Sequence, residues 1–486
     1  MTGARGADFQ GPVVTSGPCP AENRPVLVSI VLPCFDNVDD TRACLATLRR
    51  QVGGVPLQTI VVDNGSRDAT SSLDRECPGV EVVRLPQNLG FAGGVNRGLA
   101  AARGEFVLVL NNDTLAGEHL VERLLRPLID DPRIAMSAPV SNHVKGEARI
   151  EVGAAGVTDE GRATLERLLT QHAGGRVQDV ASLAGLCLMI RRPLLERIGT
   201  FDERFGIGNF EDDDLCLRAR FAGARLVVVR DAFLHHHGHR TFQAMAVDYR
   251  QVLADREALY RRKWRDDPAA QAWFVAADGG DPTSAAVAGL ERHPHWPDGH
   301  WLIARAAAAR GRTLDERARA SLDAFLTLCP LHGQGWLLRL GDALARGDDA
   351  TFERGLAWAL SELTCTPDEL ARLLLARARR LLQTGATDAA LADVAAATDP
   401  GVTDAGLWNE AGALLLDAGR HAEAAERFVE ADRLGSEHAL GNLAICRFRL
   451  GDVAGALRLW RDALVRRPDD VTLRNNLAAA LAAAGR

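Results

Sequence analysis

The hydrophobic period changes part-way along this chain, and that change constrains the fold more than any other feature. Up to about residue 234, short apolar runs alternate with helical stretches; after about residue 280, only amphipathic helical patterns remain. The runs Val26–Leu32, Gln58–Val62, Val80–Arg84, Phe106–Leu110 and Leu226–Val229 are short and rich in Val, Ile or Leu, and most end in a polar or Gly-containing turn. Such runs read as strands buried on both faces, and the helices between them imply a mainly parallel sheet. Function in a sheet of this kind gathers at the carboxyl ends of the strands. With 486 residues, the chain exceeds what one core usually supports. The expected organisation is a flexible leader over 1–24, an α/β domain over 25–245, a helical connector over 246–295, and an all-α array over 296–486.

The array carries an internal repeat. Aligning Gly419 with Gly451 also aligns Ala424 with Ala456, Phe428 with Trp460 and Ala431 with Ala463, while Gly412, Ala444 and Ala478 share a register. Small residues at these offsets let paired helices approach closely, and the aromatic wedges between neighbouring units. The period of about thirty-four residues resembles the tetratricopeptide repeat. Weaker units at Gly311, Gly347 and Gly385 extend the pattern back to about residue 296.

Composition excludes several classes. A net charge of -7 with no basic run argues against a nucleic-acid partner. Only Lys145 and Lys263 represent lysine, which removes most candidates for Schiff-base or phosphate-loop lysine chemistry. Nine scattered cysteines without a C-x-x-C pair fit a reducing compartment, with Cys34, Cys187 and Cys216 as small buried hydrophobes. The leader lacks the apolar core of a signal peptide, and no stretch of eighteen apolar residues occurs, so no transmembrane segment is expected. These features place the protein in the cytoplasm, with room for a peripheral position at the inner face of the membrane.

Six segments carry chemistry. VSIVLPCFDN ends a strand in Pro33 and a polar turn. IVVDNGSRDAT puts Asp63 at a strand end, where it either accepts hydrogen bonds from a nucleoside or caps the next helix. LPQNLGFAGGVNRGL sets Asn88, Gly90 and Asn96 around a helix start, where backbone N–H groups favour a diphosphate. Its glycine spacing does not fit a dinucleotide fingerprint. VLVLNNDTL ends in Asn111, Asn112 and Asp113, and Asp113 can bind a cation that bridges two phosphates. GTFDERFGIGNFEDDDLCLRARFAG runs four acids together, Glu211 to Asp214, at a helix start. Charge capping needs fewer, and one carboxylate near a sugar hydroxyl works as a general base. Finally, the cluster His235-His236-His237-Gly238-His239 follows an apolar strand and offers imidazole to a metal. The aromatics of 246–280, including Tyr249, Tyr260, Trp264 and Trp273, read as core rather than sugar platform.

Together these residues resemble family 2 glycosyltransferases of the GT-A fold, especially the bacterial rhamnosyltransferase-like branch that serves polysaccharide biosynthesis, over roughly 25–245. The resemblance implies a Rossmann-like α/β domain that binds a UDP- or TDP-linked sugar. Pro33, Phe35, Asp36, Asp63 and Ser66 match its nucleoside turns, and Asn88, Gly90 and Asn96 would flank the pyrophosphate. Its D-x-D motif falls on Asn111-Asn112-Asp113, so Asp113 carries a Mn²⁺ or Mg²⁺ ion nearly alone. The segment Gly199, Phe201, Asp202, Glu203 and Phe205 also matches. The resemblance further implies Asp212 as catalytic base with Glu211 and Asp214 in support. It assigns one histidine to the metal, His236 or, as the near alternative, His235. The implied reaction is inverting transfer to a glycan, lipid-linked glycan or protein hydroxyl, with a protein partner on the repeats. The competing readings are an inactive transferase-like scaffold and a nucleotidyltransferase, and the second lacks its Gly-rich triphosphate loop.

Overall fold

The computed structural model describes residues 27–152, 156–238, 249–311, 313–363, 366–399 and 401–483. The leader expected over 1–24 and His239 lie outside them. Contacts divide the chain into two compact units, one comprising Met1–Gly335 with Glu362–Thr364, the other Trp336–Ser361 with Cys365–Arg486.

The first unit is built on one sheet of nine described strands: β1 (Val28–Cys34), β2 (Leu57–Asp63), β3 (Val80–Arg84), β4 (Phe106–Leu110), β5 (Thr114–Ala116), β6 (Ile134–Ser141), β7 (Val177–Val180), β8 (Cys187–Arg191) and β9 (Arg225–His236). Their order is β3-β2-β1-β4-β8-β6-β9-β5, with β7 paired to β9. The expected parallel arrangement holds from β3 to β4, where each crossover carries a helix. Beyond β4 the sheet is mixed: β8 runs antiparallel to β4 and β6, while β6 and β9 are parallel. The central strands are buried on both faces, as continuous Val, Ile and Leu require, and two apolar layers cover the sheet. Cys34, Cys187 and Cys216 are free thiols buried in those layers.

Four further helices, Pro268–Ala277, Thr283–Arg292, Pro297–Arg310 and Glu316–Leu328, belong to the same unit. Their attachment is polar at its centre. Arg220 donates from Nε to Asp298 Oδ2 at 3.0 Å, both side chains being buried, and Trp296 Nε1 donates to the same oxygen at 3.1 Å. Asp179 Oδ2 accepts the Leu331 N–H at 2.8 Å while also holding Arg225. A buried pair of this kind stabilises little by itself, but losing one partner strands the other charge.

The second unit is all helical over its described residues. The helices Ala405–Asp417 and His421–Arg433, then Ala439–Arg449 and Val453–Arg466, pack as successive neighbours. The residues aligned by the repeat perform the same task in each pair: Ala424, Ala456, Ala431 and Ala463 are buried, and so are Phe428 and Trp460. A Cβ on Gly412 would lie 2.7 Å from the Phe428 ring, so the missing side chain admits the wedge. Among the described residues, no helix is long and apolar enough to cross a membrane.

Candidate active site

The carboxyl ends of β1, β2 and β4 open, with β9 and the helix Glu211–Phe221, onto a cavity of about 820 Å³ within the first unit. At the end of β1 the chain turns sharply, because Asp36 and Asn37 take φ of 53° and 57°, the left-handed region that Asp and Asn tolerate. That turn is tied to the one after β2. The Asp36 N–H donates to Ser66 Oγ at 3.0 Å, the Arg67 N–H to Asp36 Oδ1 at 2.8 Å, and the Ser66 N–H to Asp63 Oδ1 at 2.9 Å. Pro33 and Phe35 line the cavity, whereas Asp36, Asp63 and Ser66, expected at the nucleoside, do not, and their hydrogen bonds tie the two turns together.

The glycine-rich segment is held in the same way. Asn64 receives the Leu89 N–H on Oδ1 and donates through Nδ2 to Asn88 Oδ1 and the Gly90 carbonyl. Gly90 has φ of 77°, and a Cβ there would stand 2.0 Å from the Gly206 carbonyl oxygen, so no other residue fits. Asn88 and Gly90 line the cavity. Asn96 does not: its amide grips the Phe201 backbone, donating to the carbonyl at 2.8 Å and accepting the N–H at 3.1 Å, and reaches Glu203. The segment around Phe201 to Phe205 therefore frames the site.

Asn111, Asn112 and Asp113 all reach the cavity, with Asn112 Nδ2 donating to Thr41 Oγ1 at 2.9 Å. β5 pairs antiparallel with β9, setting Thr114 opposite His236. Strand alternation sends the two histidines to opposite faces. His236 turns towards Asp113, Nε2 to Oδ1 at 3.3 Å, with its Nδ1 on the His143 carbonyl at 3.0 Å. His235 faces the other way, against Gly156 and Phe233, and burial holds its imidazole down at about 4. Burial alone would raise the Asp113 carboxyl and lower the His236 imidazole. Their mutual hydrogen bond and charge overcome it, leaving Asp113 below and His236 above its ordinary value. One carboxylate and one imidazole with the other ring nitrogen already fixed suit a divalent ion that takes its remaining ligands from phosphates and water. Among the described residues no group of three or more His, Cys, Asp or Glu side chains could enclose an ion without such help.

The acidic run separates into distinct tasks. Asp212 lines the cavity, with Oδ2 accepting the Gly185 N–H at 2.7 Å, and burial followed by the Asp213 charge pushes its carboxyl up to about 7. Asp213 accepts Ser182 Oγ–H at 2.8 Å. Glu211 is buried at the cavity wall, and burial followed by the Asp212 charge raises its carboxyl well above the usual range. Asp214 points away from the cavity and is fully buried among donors: Arg218, Lys263 and Trp264 Nε1 at 2.9, 2.5 and 2.9 Å. It anchors the helix.

Several cavity residues escaped the sequence reading. His143, Lys145 and Arg149 come from the segment after β6, Ser182 and Gly185 from the loop before β8, and Asn209 from the Gly-rich loop. Tyr249, expected in the core, lines the cavity and donates to Asn209 Oδ1 at 3.2 Å. Tyr260 and Trp264 do pack against Phe205, Phe210 and Phe221. The rarity of lysine could have singled out Lys145; the others carry no pattern a lone sequence displays.

Residues 29–199 match the family model described as Glycosyl transferase family 2. That segment is a family 2 glycosyl transferase domain. The glycosyl transferase domain also aligns with curated relatives. A pre-mycofactocin glycosyltransferase of Mycobacterium tuberculosis is 33% identical over 218 residues, 44% of this chain and 43% of that protein. The O-antigen biosynthesis protein RfbC of Myxococcus xanthus is 28% identical over 316 residues, 60% of this chain and 23% of that one. An N-acetylglucosaminyl-diphospho-decaprenol L-rhamnosyltransferase of Mycobacterium tuberculosis is 29% identical over 213 residues, 38% of this chain and 68% of that one. This chain thus spans less than half the length of the first two. Among solved structures, GalNAc-T7 with UDP, GalNAc and Mn²⁺ aligns at 14% identity over 44% of each chain, with a TM-score of 0.36.

Proposed function

We propose that the glycosyl transferase domain moves a sugar from a UDP- or TDP-linked donor to an acceptor hydroxyl with inversion, using a divalent Mn²⁺ or Mg²⁺ ion. The observation that carries this reading is that a single cavity holds both the Asp113–His236 pair and Asp212, whose carboxyl burial and the Asp213 charge push upwards. Pro33 and Phe35 would flank the nucleoside, while Asp36, Asp63 and Ser66 keep their turn in shape. Asn88 and Gly90 stand where the helix Gly90–Ala101 begins, so its first amides favour the diphosphate. Held by Asp113 and His236, with Asn111 and Asn112 alongside, the bound ion would offset the charge on the departing nucleoside diphosphate.

Asp212 then takes the proton of the acceptor hydroxyl as that oxygen attacks the anomeric carbon from the face opposite the leaving group. A base whose pKa lies near the working pH is about half unprotonated and still basic enough to help. One displacement inverts the centre and needs no covalent intermediate. Glu211 supports the base from the cavity wall, and Asp214 supports it by anchoring the helix. The names of the O-antigen and diphospho-decaprenol relatives favour a glycan or lipid-linked glycan acceptor. The helix pairs of the second unit, read as tetratricopeptide-like, would hold a protein partner.

The test is to offer UDP- and TDP-sugars with Mn²⁺ and glycan acceptors, reading released nucleoside diphosphate and the anomeric configuration of the product by NMR. Inverted product, lost in Asp212→Asn, is expected. Retained configuration, or transfer undiminished in that variant, would sink the reading.

A further inference from the structure

The helix Tyr249–Lys263, expected as a connector, holds the turn that carries Asp212 from both sides of the base. Before the base, Tyr249 Oη donates to Asn209 Oδ1 at 3.2 Å, and the Tyr260 ring packs on Phe210 with centroids 5.5 Å apart. After it, Lys263 Nζ pairs with Asp214 Oδ1 at 2.5 Å, and Trp264 Nε1 donates to the same oxygen at 2.9 Å. The turn needs such support. Asn209 and Phe210 sit at φ of 74° and 69°, consecutive left-handed positions, and a bulky aromatic stays there only where its surroundings enforce it.

Lys263 does more than neutralise Asp214. Its ammonium lies between two carboxylates, with Asp202 Oδ2 at 2.7 Å. Asp202 caps the short turn Glu203–Phe205 by accepting the Arg204 N–H at 3.1 Å. The next residue, Gly206, accepts the Phe91 N–H at 2.9 Å, at the start of the glycine-rich helix Gly90–Ala101. Lys263 therefore joins the turn bearing the base to the turn that meets the glycine-rich helix start. Arg218 spans part of the same distance, from Asp214 to the carbonyls of Ile198, Gly199 and Thr200, but it does not reach Asp202. Hydrogen bonds between ionised partners are the strong ones, and Asp214 is fully buried, where water does not weaken them. A compact ammonium suits a place between two carboxylates, whereas a guanidinium favours one carboxylate taken bidentately.

We propose that Lys263 is a positioning residue, which clamps Asp202 to Asp214 and so sets Asp212 against a donor bound at the glycine-rich helix start. The inference rests on the transferase reading above. A general base must stand within hydrogen-bond reach of the proton it takes, and a misplacement of about 1 Å costs on the order of 10²-fold. Lys263 does not line the cavity, so its loss should appear in turnover and leave donor affinity in place. Lysine that served only to neutralise a buried carboxylate would act differently: Asp214 would need it, and Asp202 would not matter.

The experiment compares the full chain with Lys263→Met and Asp202→Asn, each with Mn²⁺. Lys263→Met keeps the apolar stem and removes the charge. Asp202→Asn keeps the oxygen that caps its turn and leaves Asp214 fully paired, so it cuts the clamp alone. Nucleoside diphosphate released from UDP-glucose, UDP-N-acetylglucosamine and TDP-rhamnose gives kcat and donor KM, and calorimetry with UDP and TDP gives affinity. Hydrogen exchange read by mass spectrometry follows the segments around Phe91 and Asp214 without any substrate. Both variants should lower kcat about tenfold or more, with donor KM and nucleotide affinity within about threefold of wild type. Both should also speed exchange around Phe91 as well as around Asp214. Turnover by Asp202→Asn at the wild-type rate overturns the clamp, as does faster exchange around Asp214 alone. Weakened nucleotide affinity with kcat unchanged overturns it too, by assigning Lys263 to the donor. If Lys263→Met does not fold, the same readings on Asp202→Asn decide. If wild type turns over none of these donors, the exchange readings decide the clamp, and failure to bind either nucleotide separately removes the transferase reading itself.

Discussion

At Asp212 two influences oppose each other. Withdrawal from water and the Asp213 charge keep the proton on, while hydrogen bonds from the Gly185 and Asp213 N–H groups draw it off. The first influence prevails, and the consequence is readable in two ways. Turnover should rise as pH passes through about 7 and level off above it, and Asp212→Asn should lower kcat by about 10²–10⁴-fold. Stability should run the other way. The folded chain keeps this proton up to about pH 7, whereas an unfolded chain releases it near pH 4, so the carboxyl weakens the fold as pH rises between them. Asp212→Asn should therefore melt higher than wild type at pH 8 and about equally at pH 4. A variant that melts lower at pH 8 would show that the buried charge is better compensated than its surroundings indicate. At this scale the acids and histidines were legible in the sequence, since their types and crowding announce chemistry. Their division of labour was not, because Asp214 differs from Asp212 only in which way it faces round one helical turn.

Among the elements, the glycine-rich helix start and the helices 268–328 matter most. Gly90→Ala must either break the φ of 77° or push the Gly206 carbonyl aside, and both routes disturb the loop that leads to Asn209 and the base. A loss of about 2–4 kcal/mol by denaturant unfolding, with weakened nucleotide binding, is expected. Asp298→Ala leaves the Arg220 guanidinium buried without its carboxylate and should cost about 3–5 kcal/mol, although residue 298 lies far along the chain from every motif. For the same reason, a truncation at residue 280 should express poorly, since it uncovers Phe221, whose ring meets His293 and Trp296. The five strands read from apolar runs are present. The four that were not read are short, or, like β6 with its Ala, Ser and Pro139, lack the continuous branched residues that mark a buried strand. Their placement is set by pairing across the sheet, which leaves no local signature.

For the whole molecule, the change of period marks the passage from sheet to helices, and the repeated Ala, Gly and aromatic positions fall where helices pack. What the sequence could not supply is which helices complete the catalytic unit, because amphipathic helices look alike whether they cover a sheet or one another. The cavity lies wholly within the first unit, so a chain ending after residue 364, which keeps all of that unit, should bind nucleoside diphosphate as the full chain does, within about threefold by titration. The most direct measurement of the central claim is calorimetric titration of the full chain with UDP and TDP, with Mn²⁺ present and then chelated, in wild type and Asp113→Ala. The account predicts binding of at least one nucleotide that needs the metal and is lost in Asp113→Ala. Absence of binding by either nucleotide under both conditions, or binding that neither chelation nor Asp113→Ala affects, would contradict it.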